Sequence, residues 1–226
     1  MYHKLSTLLI FISLSAAQAL QAQTDDCARK ASFGDIEICL PEIEGYSECY
    51  EDPIVKKFAD ATEVPMNEVI GYYLNPEDHA VRIGIEENGA DDYFKVYGTT
   101  QLATTPVGLK EFESFGEMMS GNFISANWDE ISEEIDKAEL DIQIGAPTLL
   151  ENYRLDPRSF TLVALVKYEL GPGVTATLAM TINGLLIQGR AIWMAYYRIF
   201  ESEETLVALK ESSDRIIKEI LAANPK

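Results

Sequence analysis

Histidine and cysteine are scarce in this chain of 226 residues, with two of the first and three of the second. So few leave little for a nitrogen- or sulfur-rich metal site. Basic residues are short too. Lys and Arg number 18 against 37 Asp and Glu, a formal net charge of -19. Nucleic-acid binding needs clustered Lys and Arg against phosphate, so this balance argues against it. The same field repels an anionic membrane surface. Catalytic signatures are also missing. The chain holds no Gly-x-Ser-x-Gly elbow, no His-Glu-x-x-His and no phosphate loop. It holds no Cys-x-x-Cys, which argues against a redox catalyst. What is present is an ordinary globular composition, 47% hydrophobic and 24% charged, suited to one domain.

The start reads MYHKLSTLLIFISLSAAQALQAQTDD. Lys4 precedes an apolar run, Leu8 to Leu14, and small residues follow. This is the layout of a secretory signal peptide, expected to end at Ala22. A membrane anchor is the alternative, but the run is shorter than the roughly 20 residues that span a bilayer. Residues 23–32 read as a polar leader and 33–226 as a single domain. The expected product is soluble, exported to the periplasm or beyond, and without stable membrane insertion after cleavage. Export permits disulfides. Cys27, Cys39 and Cys49 allow one bridge and one spare thiol. Ile36, Ile38 and Leu40 share one strand face, so Cys39 points the other way. Cys49 follows the turn-like Glu44-Gly45-Tyr46. A Cys39–Cys49 bridge is expected, with three buried free thiols as the alternative.

Along the chain, Phe33 to Leu40 reads as a strand, and Asp52-Pro53 opens a helix with Ile54, Val55, Phe58 and Ala59 inward. Val69 to Leu74, Ala80 to Glu86 and Tyr93 to Tyr97 read as strands. Thr105-Pro106 caps a helix to about Phe123, with Leu109, Phe112, Phe115 and Met119 at helical spacing. Asn127 to Lys137 reads as an acidic helix or loop, and Leu140 to Ile144 as an edge strand. Ser202 caps a last helix whose stripe is Leu206, Leu209, Ile216, Ile217 and Ile220, with Ser213 inside it. Strands in series with interspersed helices predict an α+β fold, helices packed on an antiparallel sheet.

Between the last strands, Asn183-Gly184 separates two alternating runs, the pattern of a two-residue hairpin. That turn pairs Met180 with Ile187 and puts Leu178, Met180, Ile187 and Trp193 on one covered face. A second turn at Gly171-Pro172-Gly173 puts Val166 opposite Leu178 and Ala164 opposite Met180. Arg190, Tyr196 and Arg198 fall on the other face. An aromatic with two cations on an exposed sheet face suits a carboxylate or aromatic partner. These three are the candidate partner-binding residues, against a reading in which Arg stems pack over Tyr196.

The closing stretch INGLLIQGRAIWMAYYRIFESEETLVALKESSDRIIKEILAANPK resembles the end of PsbP-like proteins. The resemblance implies an α/β/α sandwich around an antiparallel sheet and accessory or binding roles. It carries over no binding residue.

No catalytic residue, metal ligand or cofactor site is assigned. The one histidine past the leader, His79, reads as a solvated turn residue. Doublets such as Glu86/Glu87, Asp91/Asp92 and Glu133/Glu134 read as solvated surface, with a weak calcium site at Asn88, Asp91 and Asp92 as a minor reading. The expected function is an exported accessory or binding protein with a protein or small-molecule partner. The alternatives are a carboxylate-based hydrolase, or a carrier holding an apolar ligand behind Phe112, Phe115 and Trp193.

Overall fold

The computed structural model describes residues 27–84, 92–121, 126–129, 132–133, 143–169 and 175–225. The signal-peptide expectation lies outside them. So do most of the 127–137 segment and the Gly171-Pro172-Gly173 turn.

Strands β1 (Cys27–Phe33) and β2 (Ile36–Pro41) form a separate antiparallel hairpin. Residues 27–32, expected in a leader, are therefore part of the folded domain. The main sheet has eight antiparallel strands. They are β3 (Ser47–Glu48), β4 (Asn67–Leu74), β5 (Asp92–Thr99), β6 (Gln143–Ile144), β7 (Thr148–Tyr153), β8 (Ser159–Glu169), β9 (Thr175–Ile187) and β10 (Arg190–Ile199). Their order is β3-β4-β5-β10-β9-β8, with β6 and β7 both on the outer side of β8. Helices flank this sheet, so the fold is α+β as expected.

Helix α1 (Pro53–Ala61) starts where Asp52 accepts the Ile54 and Val55 amides, and it buries Val55 and Ala59. Ile54, expected inward, is exposed. The segment expected as a strand over 80–86 begins instead inside helix α2 (Pro76–Arg82). Three alternating apolar residues lose there to a stronger local signal. Asn75 accepts the Asp78 amide at 2.8 Å, Pro76 opens the helix, and Glu77 and Asp78 sit in its first turn. Helix α3 (Leu109–Ser120) is capped at Gly108 rather than Thr105, and its Leu109 is exposed. Helix α4 (Glu203–Ala223) follows its predicted stripe, burying Leu209, Ser213, Ile216, Ile217 and Ile220.

The β9–β10 register departs from the expectation. Strand β9 runs unbroken through Asn183-Gly184, and the chain reverses at Gln188-Gly189, where φ is 46° and 73°. Two successive positive φ values are what a tight two-residue hairpin requires. Ile187 pairs Arg190, Gly184 pairs Trp193 and Met180 pairs Tyr197. Leu178, Met180 and Trp193 thus share a face, but Ile187 lies on the other. The β8–β9 register is the expected one, with Val166 opposite Leu178 and Ala164 opposite Met180. Asn-Gly serves packing here. Asn183 is buried, donating to the Met194 carbonyl at 3.0 Å and to Thr181 Oγ1 at 3.0 Å. Gly184 leaves room for the Phe160 ring, which a Cβ would meet at 2.2 Å.

The two faces carry different cover. Phe94, Val96, Leu185, Ile192, Met194 and Tyr196 meet α4 and the β1–β2 hairpin. On the opposite face, α1 covers Val69, Tyr72 and Leu74, and α3 covers Phe160, Leu162 and Trp193.

The disulfide joins Cys27 to Cys39, not Cys39 to Cys49. Cys27 and Cys39 sit on adjacent strands of the hairpin, with Cα atoms 5.3 Å apart. Cys49 is buried among Val55, Ala59 and Val69 in the layer on the far side of the sheet. Burial, with Glu48 beside it, pushes its thiol up to about 11.

Two stability outcomes follow from this packing. Gly184→Ala should lose about 1–3 kcal/mol in urea titration, because Phe160 must move; an unchanged midpoint would contradict the unbroken β9. Cys27→Ser should lose about 2–3 kcal/mol by removing a short-loop crosslink. Free-thiol counting of the unfolded, unreduced protein should find one reactive cysteine, Cys49.

Candidate functional site

The predicted partner-binding residues do not share an exposed face. Arg190 and Tyr196 are buried, under the layer formed by α4 and the β1–β2 hairpin. A five-residue displacement of the turn does not change which side of β10 they occupy. It changes what covers that side, because Leu185 and Ile187 now build an apolar face there. Arg190 is a clamp. It donates to the Ala103 carbonyl at 3.0 Å and to Asp35 at 2.5 Å, tying the β1–β2 turn to the chain after β5. The Asp35 carboxyl is held below its usual range by that guanidinium.

Tyr196 and Arg198 do come together, on Asp92 at the start of β5. Tyr196 donates to Asp92 Oδ1 at 2.6 Å, Tyr46 donates to the same oxygen at 2.5 Å, and Arg198 donates to Oδ2. The Asp92 amide donates to the buried Asp78 at 2.9 Å, and Asn75 donates to the Asp92 carbonyl. Burial first, and then the neighbouring Asp92 carboxylate, push Tyr196 up to about 12. Tyr46 is raised by burial and by Tyr196 and Asp92 beside it. Burial disfavours the Arg198 cation, but its bond to Asp92 outweighs this and raises its value. Phenols so raised are donors at neutral pH, not bases or nucleophiles. The cluster locks the loop before β3 onto β5 and β10. Sequence reading missed Tyr46 and took Asp92 for a solvated surface carboxylate, because the partners lie far apart in the chain.

A cleft of about 380 Å³ opens beside α1 and carries Asp60, Glu63 and Glu68. Inward carboxylates in a cleft are what a hydrolase would need, but two of these are already engaged. Glu63 holds Lys95 at 2.5 Å and Asn67 at 2.8 Å, and Asp60 accepts the Tyr50 hydroxyl at 2.7 Å. His79 stands on α2 rather than in a turn, 3.8 Å from Asp52. Behind α3 there is filled core instead of an apolar ligand site. Phe112 and Phe115 pack on Phe160 and Trp193 with ring centroids 5.3–6.3 Å apart. Among the described residues no group of three or more His, Cys, Asp or Glu is placed to hold a metal ion.

The remaining feature lies on the sheet face between α1 and α3. Alternation in β5 puts Tyr93, Lys95 and Tyr97 on that face, and β10 adds Tyr197. Tyr72, Tyr93 and Tyr197 form a stacked row, with centroids 5.6 Å and 5.0 Å apart. Stacked rings turn their faces to each other. Tyr93, Tyr97 and Tyr197 are only half-buried. Burial and the neighbouring Tyr197 push Tyr93 up to about 12, and burial raises Tyr97 and Tyr197 as well. Arg82 closes one end of the row, its guanidinium 3.7 Å from the Phe58 ring centroid and 5.6 Å from that of Tyr93. The alternation in YFKVY was legible in the sequence. Arg82 was not, because its segment read as a strand.

No family model matches the chain, and no curated protein matches it. Among solved structures, the chain is similar to the Saccharomyces cerevisiae Ran-binding protein Mog1p, with 12% identity and a TM-score of 0.37. That match covers 86% of this chain and 93% of the other. A mutant of protein Mog1 gives 11% identity, a TM-score of 0.35 and the same coverage. At such values the likeness does not extend to what those proteins bind. The resemblance to PsbP-like proteins is corrected: no family model supports it, and the similar solved structures are of Mog1.

Alkaline titration tests the electrostatics. Tyr93 and Tyr196 ionise near 12 in the folded state against an ordinary value of 10. The folded chain therefore holds more protons between pH ~10 and ~12, and stability falls across that window as pH rises. Phenolate absorbance should rise together with loss of structure there; free ionisation of these phenols near pH ~10 in folded protein would refute the burial.

Proposed function

We propose that this is an exported, soluble accessory or binding protein that engages its partner through the tyrosine face between α1 and α3. The observation that carries the reading is that face. Three half-buried tyrosines line it, and burial keeps their hydroxyls protonated. Half-buried tyrosine offers both apolar area and a polar tip, the pairing favoured at binding surfaces. The Asp92 cluster and the Asp60 and Glu63 carboxylates of the cleft, by contrast, are tied into the fold. Two features support export: the N-terminal Lys4, apolar run and small residues, and the Cys27–Cys39 disulfide, which suits an oxidising compartment. No helix among the described residues is long and apolar enough to cross a membrane.

Site-specific photocrosslinking tests both halves. A photoreactive phenylalanine analogue is placed at Tyr97 and, as a control, at Val207, which is 57% exposed on α4. The native host is irradiated and the exported fraction analysed by mass spectrometry. The protein should start near Leu20 or Gln23, and a discrete adduct should form from position 97 but not 207. Equal labelling at both positions would refute the surface, and an intact Met1 would refute processing.

A further inference from the structure

Every described arginine except one has a carboxylate within 4 Å. Arg29 has Glu48, Arg154 has Glu113, Arg158 has Asp156, Arg190 has Asp35, Arg198 has Asp92 and Arg215 has Glu219. Arg82 has none among the described residues. Acidic side chains outnumber basic ones two to one in this chain, so an unpaired guanidinium is the less expected outcome. Its surroundings are aromatic. It lies over Phe58, near Tyr93 and beside the Tyr72 hydroxyl. Its Nε is buried without a hydrogen bond. Its guanidinium already bonds the Tyr72 hydroxyl, and stacking presents its remaining terminal N–H groups edgewise, as donors for a planar oxyanion. Beside it, the protonated Tyr93 hydroxyl is a further donor.

We propose that Arg82, with the hydroxyl of Tyr93, is the anchoring subsite for the carboxylate of a small organic acid whose planar apolar body lies along the tyrosine row. This deepens the binding-face reading above and rests on it. Charge complementarity selects the anion: the fork supplies two parallel donors, which match the two oxygens of one carboxylate. The row of ring edges and protonated hydroxyls toward Tyr197 gives an apolar body somewhere to lie, and disfavours a fully hydrated inorganic ion. Desolvation strengthens a charge-assisted bond at such a half-buried site.

The test is heteronuclear NMR titration of the full exported chain, disulfide intact, with three probes: benzoate, the isosteric neutral benzamide, and inorganic phosphate. Benzoate should shift resonances of Arg82, Tyr93 and Tyr197 saturably. Benzamide should bind about tenfold more weakly or worse, and phosphate no better than benzamide. Arg82→Gln should remove about tenfold or more of benzoate affinity, and Arg82→Lys should recover part of it. Tyr93→Phe keeps the ring, and so the packing, and should weaken benzoate by several-fold. Equal binding of benzoate and benzamide, or benzoate affinity unchanged in folded Arg82→Gln, would overturn the carboxylate subsite while leaving the tyrosine face as a binding surface. Phosphate binding as tight as benzoate would overturn the organic-acid assignment. Benzoate with no saturable effect at about 10 mM would overturn the subsite outright, and the crosslinking at Tyr97 would then decide the face on its own.

Discussion

The unbroken run of β9 across the sheet is the constraint on which the rest depends. At its centre Asn183 is fully buried, and it satisfies itself by bonding to Thr181 Oγ1 and to the Met194 carbonyl on β10. Ser213 of α4 completes the group, 2.9 Å from Thr181 Oγ1 and 3.3 Å from Asn183 Oδ1. A buried polar group must find partners or cost the fold heavily. These partners exist in one register of β9 on β10 and one seat of α4 on both. An apolar interface alone tolerates sliding; this one does not. The end of α4 is fixed in the same way. Asn224 accepts the Cys39 amide at 2.9 Å and donates to the Cys39 carbonyl at 2.7 Å. The helix is thus pinned to the sheet at its middle and to the disulfide-linked hairpin at its end.

That arrangement explains what could be seen in the sequence. The apolar stripe of α4, with Ser213 inside it, was visible at helical spacing, and the structure places Ser213 where a small polar side chain is needed. The β8–β9 register was visible because both strands alternate cleanly across one turn. The α+β class followed from element order. The β9–β10 turn was not visible. Ile182-Asn183-Gly184-Leu185 carries the strongest short-range hairpin pattern in the chain, yet the local preference gives way to burial of Asn183 and to the space Phe160 needs over Gly184. Gln188-Gly189 takes the turn with one ordinary residue at positive φ. Displacing the turn hands Leu185 and Ile187 to the α4 face, and this is why Arg190 and Tyr196 are covered. The disulfide failed for a related reason: pairing Cys39 with Cys49 would join groups on opposite sides of the sheet, and sequence distance carries no information about sides.

Charge shows the same economy. Several of the scarce cations join segments remote in sequence. Arg29 bonds the nearly buried Glu48, whose other oxygen accepts the Tyr50 and Tyr72 amides at the β4 bulge. Arg190 joins the hairpin to the chain after β5, and Arg198 joins β10 to β5. Exposed pairs of this kind contribute little, but half-buried ones with several hydrogen bonds fix geometry. The excess of carboxylates is left to the surface, where it favours solubility rather than the fold. Against this pattern Arg82, held by rings instead of carboxylates, is an exception in kind.

Helix length accounts for the location of that exception. At 1.5 Å per residue, the 21 residues of α4 span about 31 Å, enough to cross the sheet and seal its face with help from the hairpin. On the other face the nine residues of α1 and twelve of α3 span about 14 Å and 18 Å, and they cover β4 and β8–β10 respectively. The strip between them, on β5 and β10, cannot be lined by leucine or valine without leaving an apolar patch half in water. Tyrosine solves the local problem, since its ring packs on the sheet while its hydroxyl keeps a polar group at the half-buried surface. The same choice leaves a row of protonated phenols beside a guanidinium that, among the described residues, has no carboxylate partner. A residue selected to tolerate half-exposure has, by its chemistry, built a surface able to hold a ligand.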